Sequence, residues 1–180
     1  MASEEDEHLK IVKAFVFLYT SPYIYRDLNK RFTQKRYESY TKIVAFVMES
    51  LRKLPEEKVK DFKLPFTTGF SMYRGLKSTQ LGKLNRGYWK AFTSCTLKKS
   101  IAEEFASRET GGCLLEIQFK PPVQHMYIRV PNSTQFTFYD ESEVILFPFF
   151  PYEVLERSKD KSKCVLREVK QLEEDYPKLE

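Results

Sequence analysis

FTSCTLKKSIAEEFASRETGGCLLEIQF, residues 92–119, passes from a strand pattern through a helix pattern into a second strand pattern. Its first part continues from Tyr88 as YWKAFTSCT and has strand grammar. LKKSIAEEFAS then sets Leu97, Ile101, Phe105 and Ala106 on one helical face, with Gly111-Gly112 ending the element. CLLEIQF alternates Cys113, Leu115, Ile117 and Phe119 against Leu114, Glu116 and Gln118, up to Pro121-Pro122. One short helix set between strands is the feature that decides the fold class.

On the N-terminal side the chain reads as helical. LKIVKAFVFLYT (9–20) is one apolar candidate. TQKRYESYTKIVAFVMESLRKL (33–54) is another, with Tyr37, Tyr40, Val44, Val47, Met48, Leu51 and Leu54 recurring at spacings of three and four. Pro55 stops it, and PEEKVKDF (55–62) adds a short helical turn before Pro65. From Phe66 onward the patterns are short strands: FSMYRGL, VQHMYIRV, ESEVILFPFF, YEVLER and CVLREVKQL, the last two joined as a hairpin through SKDKSK. Helices first and strands afterwards predict an α+β fold, with a helical part over 1–65 and a strand-rich part over 66–180 in a single domain.

Composition bounds the function. The chain has 180 residues, 42% hydrophobic and 15% aromatic, which suits a globular core rather than a disordered segment. A formal charge of +5 with both signs dispersed fits an anionic ligand without demanding one. Nucleic acid is not favoured, since no zinc, helix-turn-helix or aromatic RNA-binding signature is present. Cys95, Cys113 and Cys164 are scattered and fit a reducing compartment. His8 and His125 lie far from any cysteine cluster, so no metal is expected. MASEEDEHLK is acidic where a secretory leader is basic, and IVKAFVFLY is too short to span a bilayer. The expectation is a soluble, cytoplasmic protein, the host cytosol included if it is an injected effector. No GxGxxG or P-loop stretch occurs.

Three elements are candidates for chemistry. In MYRGL, Arg74 ends a strand before Gly75; an arginine fork suits phosphate or carboxylate, and glycine permits close approach. The alternative is a surface arginine before a turn. In FTSCT, the hydroxyls of Ser94 and Thr96 stand ready to cap the following helix or to hold a carboxylate or ribose. In DESEVILF (140–147), strand alternation would put Glu141 and Glu143 on one face. Such a pair is either a solvated strand entrance or a site for developing positive charge, as in glycosidic cleavage.

The order of these elements, strand-Arg-Gly, then aromatic-Thr-Ser-x-Thr before a helix, then Glu-x-Glu before a strand, resembles the R-S-E signature of the arginine-type mono-ADP-ribosyltransferases. The likeness covers residues 73–154, with FTSCTLKKSIAEEFA and ESEVILFPFFPYEV its most telling parts. Cys95 stands where a small hydroxyl residue is more usual. The resemblance implies a mixed, mainly antiparallel β-sandwich core of the ADP-ribosyltransferase type, packed against the N-terminal helices. It implies NAD as co-substrate and no metal. Arg74 would contact the NAD phosphate and ribose, and Gly75 would grip the nicotinamide carboxamide with its backbone. Ser94 would bond the nicotinamide ribose and steady Glu143, with Thr96 supporting. Glu143 would be the catalytic glutamate and Glu141 the one that goes with an arginine acceptor. Residues 127–140 would recognise the substrate, with Phe136, Phe138 and Tyr139 as stacking candidates or, equally, as aromatic core.

The function so implied is transfer of ADP-ribose from NAD to an arginine of a target protein, with release of nicotinamide, by a monomeric enzyme. The alternatives are an NAD glycohydrolase, in which water is the acceptor, and a binding module without turnover.

Overall fold

The computed structural model describes residues 4–21, 24–33, 38–64, 68–80, 85–120, 127–131 and 142–169. Helix α1 (Glu4–Thr20) buries Val12, Phe15, Val16 and Tyr19, the three-four-seven spacing of one helical face. Its first turn is acidic, which complements the positive end of the helix dipole. Helix α2 (Ile24–Thr33) follows and is not anticipated by the periodicity. Helix α3 (Glu38–Lys53) buries Val47 and Leu51, and α4 (Glu56–Val59) is the turn expected after Pro55. Tyr37 of the expected α3 stripe lies outside the described residues.

The strand-rich part contains β1 (Phe70–Lys77), β2 (Arg86–Trp89), β3 (Thr93–Thr96), helix α5 (Lys99–Ser107), β4 (Gly112–Phe119), β5 (Tyr127–Arg129), β6 (Glu143–Leu146), β7 (Phe150–Arg157) and β8 (Lys163–Glu168). They form an eight-stranded sheet in the order β2-β7-β8-β4-β1-β3-β6-β5. Every pairing is antiparallel except β4 with β8, so the sheet is mixed and mainly antiparallel as expected. The hairpin of β7 and β8 is present. The expected strand YWKAFTSCT divides: Tyr88 and Trp89 belong to β2 at the sheet edge, whereas Thr93–Thr96 is β3 in its middle.

The sheet is joined at one narrow place. Tyr73↔Thr96 is the register pair between β1 and β3, whereas β1 pairs with β4 along its whole length. The five strands from β2 to β1 and the three from β3 to β5 therefore behave as two half-sheets, and their inner faces share a core. Met72, Leu115, Ile117, Phe150 and Leu166 from one side pack with Cys95, Val144 and Leu146 from the other. A second core lies outside the smaller half-sheet. There Ile128, Ile145, Phe92 and Phe147 meet Val12, Phe15 and Tyr19 of α1 and Val47 and Leu51 of α3. This second apolar layer fixes the N-terminal helices to β5, to β6 and to the segment that enters β3.

Helix α5 departs from its expected face. Ala102 is its fully buried residue, and Phe105 is 40% exposed. The reason is distance. A Cβ on Gly75 would collide with the backbone of Ala102 and Ala106 and stand 2.7 Å from the Phe105 Cβ. One on Gly112 would collide with the Ala106 carbonyl. The helix lies so near β1 and β4 that only alanine fits beneath it, and the larger side chain is turned outward. Gly112 opens β4 instead of ending the helix, and Gly111, at φ 69°, makes the turn.

Candidate active site

The joint between the half-sheets brings three of the sequence candidates together. Arg74 lies between Met72 and Leu76 on the inner face of β1, a charged side chain in an apolar row. Its Nη1 donates to the Ser94 carbonyl at 2.5 Å. Ser94 and Glu143 are diagonal neighbours on the antiparallel β3–β6 pair, in which Ser94↔Ile145 and Thr96↔Glu143 are opposite. At such a diagonal a hydroxyl and a longer carboxylate can meet. They do: Ser94 Oγ donates to Glu143 Oε1 at 2.5 Å, the length of a charge-assisted O–H···O⁻ bond.

One donor in this group is left over. Arg74 Nε is buried and has no hydrogen-bond acceptor among the described residues. A buried donor without a partner costs about 1–3 kcal/mol, more when charged. The guanidinium is thus tethered at one nitrogen and, among the described residues, lacks an acceptor at another. That state fits an anionic or hydroxyl-rich ligand at the joint.

The other candidates have different placements. Thr96 Oγ1 accepts from the Lys98 N–H at 3.0 Å, so this hydroxyl shapes the turn into α5. Gly75 is accounted for on its side-chain face by α5. Glu141, Phe136, Phe138 and Tyr139 lie outside the described residues. Ser142 has φ 47°, in the left-handed region, and β6 begins only at Glu143. The two-residue alternation expected to set Glu141 and Glu143 on one face therefore does not run through Ser142. A non-glycine residue there is a local strain at the mouth of the strand.

Two side chains near the group come from the N-terminal helices. Burial raises the Tyr19 phenol pKa, with Asn29 and Arg74 lowering it and Glu143 raising it. Tyr19 reads in the sequence as one more apolar position of a helix, and Asn29 belongs to the unanticipated α2. No local spacing singles out either.

The group also acts on its surroundings. Burial pushes the Cys95 thiol up to about 12, with Arg74 lowering it and Glu143 raising it. Burial likewise pushes Cys113 up to about 11 and raises Cys164. Such thiols stay protonated in the fold while an unfolded thiol ionises from an ordinary value of 9.0. Above that pH the folded state holds more protons than the unfolded one, so stability falls as pH rises. Melting temperature is expected to be flat below pH 9 and to drop progressively between pH 9 and 12; a curve rising over that window would contradict the buried, neutral thiols.

Known structures share this fold. A variant of the eukaryotic mono-ADP-ribosyltransferase ART2.2 in complex with NAD superposes with a TM-score of 0.60 at 22% identity, over 95% of this chain and 69% of that chain. Exoenzyme S from Pseudomonas aeruginosa, in complex with human 14-3-3 protein beta and bound to Carba-NAD, gives 0.56 at 15% identity, over 98% and 96%. The Vis toxin, an ADP-ribosyltransferase from Vibrio splendidus, gives 0.50 at 18% identity, over 94% and 87%. At these identities the likeness establishes the ADP-ribosyltransferase fold. No protein-family model matches the chain, and no curated protein matches it in sequence.

Proposed function

We propose that the protein transfers ADP-ribose from NAD to an arginine side chain of a target protein and releases nicotinamide. The observation that carries this reading is the Arg74–Ser94–Glu143 group at the joint of an ADP-ribosyltransferase fold, with Ser94 Oγ 2.5 Å from Glu143 Oε1 and Arg74 Nε without an acceptor among the described residues. NAD supplies a ribosyl anomeric carbon bonded to nicotinamide, a leaving group that departs with its bonding electrons.

Each residue then has a task. Arg74 offers its open nitrogen to a phosphate or ribose oxygen while the Ser94 carbonyl holds the guanidinium in place. Ser94 fixes one oxygen of Glu143, so the carboxylate is oriented before substrate arrives and little reorganisation is needed. Glu143 stabilises the positive charge that develops as the glycosidic bond opens. The acceptor guanidinium is held cationic in water, its pKa lying far above neutral, and is a poor nucleophile until a base takes its proton. Glu141, beside Glu143 in the chain, is assigned that role: the new bond forms to the arginine nitrogen and its proton passes to the carboxylate.

The test is nicotinamide release from labelled NAD with and without agmatine, a small guanidine acceptor. Release is expected to rise with agmatine, with label appearing on it. Glu141→Ala is expected to lower transfer by about a hundredfold or more while leaving hydrolysis in place, the usual effect of losing a general base. Label found only in solution would replace the transferase reading by a glycohydrolase, and full transfer by Glu141→Ala would remove that residue from the mechanism.

A further inference from the structure

The positive charge of the chain is concentrated in one stretch. Residues 10–46 hold eight lysines and arginines and two acidic residues, a net of +6, against +5 for all 180 residues. Everything outside that stretch therefore sums to −1. It spans the later part of α1, α2 and the first half of α3. Among the described residues it also holds five of the seven large apolar side chains left exposed, Phe17, Leu18, Ile24, Ile43 and Phe46.

The two features share helix faces. On α1, Lys10, Lys13, Ala14, Phe17 and Leu18 are exposed and follow the i, i+3, i+4, i+7, i+8 spacing of one face. That face is turned away from Val12, Phe15, Val16 and Tyr19, which enter the core. On α3, Lys42, Ile43 and Phe46 are exposed, with Phe46 four and three positions from the other two. His8 Nδ1 lies 3.2 Å from Ser50 Oγ and Lys53 Nζ 4.0 Å from Glu4 Oε1, so α3 ends where α1 begins. The helices are thus antiparallel, and Phe17 and Leu18 of one stand at the same end of the pair as Ile43 and Phe46 of the other. Phe17 is 60% exposed and Phe46 56%. The acidic first turn of α1 is at the far end, about 15 Å along the axis from Phe17 to Glu7.

An exposed apolar patch with a charged rim marks an interaction surface. A second copy of the chain on this face would set like charges against each other. Duplex nucleic acid offers phosphates to the cations but no apolar phase for leucine and isoleucine. An anionic bilayer answers both features. Aromatic and aliphatic side chains enter the boundary between headgroups and acyl chains, while lysines lay their stems on the apolar surface and reach the phosphates. No helix among the described residues is long and apolar enough to cross a membrane, so the contact is with its surface.

We propose that the outward face of α1 and α3, together with the basic segment that joins them, docks on the surface of an anionic lipid bilayer. The inference goes beyond the transferase reading and does not depend on it. The opposite faces of these helices pack on β5 and β6, so the strand that carries Glu143 is brought to the lipid by the same contact.

The test is co-sedimentation of the full chain with vesicles of phosphatidylcholine alone and with about 30% phosphatidylserine added, at about 0.1 M salt. Binding to the anionic vesicles is expected to be about tenfold or more tighter than to the neutral ones, and to weaken as salt rises. The double variant F17S/F46S is expected to lose about tenfold or more, because two apolar anchors no longer leave water. K13A/K42A is expected to lose about tenfold or more through charge alone. Melting temperatures measured in parallel should match the wild type, since all four side chains are exposed. If F17S/F46S yields no folded protein, the lysine pair decides. No binding to anionic vesicles, or unchanged binding by either double variant, would overturn the inference. Self-association of the wild type that F17S/F46S abolishes, without vesicle binding, would give the face to a second copy and overturn it too. None of these readings involves NAD, so a protein that binds vesicles but releases no nicotinamide would overturn the transferase reading alone.

Discussion

Glu143→Gln is expected to cut nicotinamide release from NAD by about a thousandfold and to leave the melting temperature within a few degrees of the wild type. The substitution keeps the shape of the side chain and an oxygen to accept the Ser94 hydroxyl, whose bond to Glu143 Oε1 is 2.5 Å long. It removes only the negative charge. Charge matters most where positive charge develops, so the loss belongs in kcat, with NAD binding little altered. Calorimetric titration with NAD beside the rate measurement separates the two. A variant that kept release within tenfold of the wild type would remove Glu143 as the carboxylate facing the breaking bond.

Gly75→Ala is expected to be among the most damaging single methyl groups in the fold. The added carbon meets the backbone of Ala102 and Ala106, and backbone in a packed helix cannot turn aside as a side-chain end can. Overpacking of this kind costs about 3 kcal/mol or more, the upper end for inserted core volume. For a chain of this size each kcal/mol moves the melting temperature by about 2–4 °C, so a fall near 10 °C is expected. Gly69→Ala is the control, because its Cβ would meet only the Phe119 carbonyl at 3.2 Å, a contact that small shifts relieve. Equal melting temperatures for the two variants would contradict the close approach of α5 to β1. The damage would also reach the site, since Arg74 is the next residue along the strand.

How much of this was legible in the sequence depends on how locally each feature is encoded. The strands β1 and β4 and the helices α1 and α3 announce themselves by their apolar pattern, because each lays one apolar face on a core, whereas α5 was legible as a helix but its buried face was not. The helix α2 carries such a stripe too, since IYRDLNKRFT sets Ile24, Leu28 and Phe32 four residues apart, but its mostly polar residues hid it. The division between β2 and β3 was hidden because Lys90 and Ala91 carry no glycine or proline to mark a break. The outward turn of Phe105 follows from two glycines outside the helix, Gly75 and Gly112, and no helical wheel contains them. Arg74, Ser94 and Glu143 were named through a family likeness, yet their meeting depends on the β3–β6 register and on the single pair Tyr73↔Thr96. Tyr19 was invisible as a polar residue, since helix α1 supplies every sign that its position is apolar.

The place of β8 bears on when the protein becomes active. Lys163–Glu168 is the last of the described strands, and it fills the slot between β7 and β4. During synthesis β1 and β4 are made long before this strand leaves the ribosome. Until then β4 and β7 each lack one neighbour and present bare backbone edges, the surfaces on which other chains can add. Pairing of β4 with β8 is parallel and distant in sequence, which makes it a slow step. The strand that carries Arg74 is hydrogen-bonded to β4 throughout its length, so the tethered guanidinium gains a complete sheet behind it only at that late moment. A nascent chain is accordingly expected to be silent towards NAD, and most in need of chaperones, until residues near 168 have emerged.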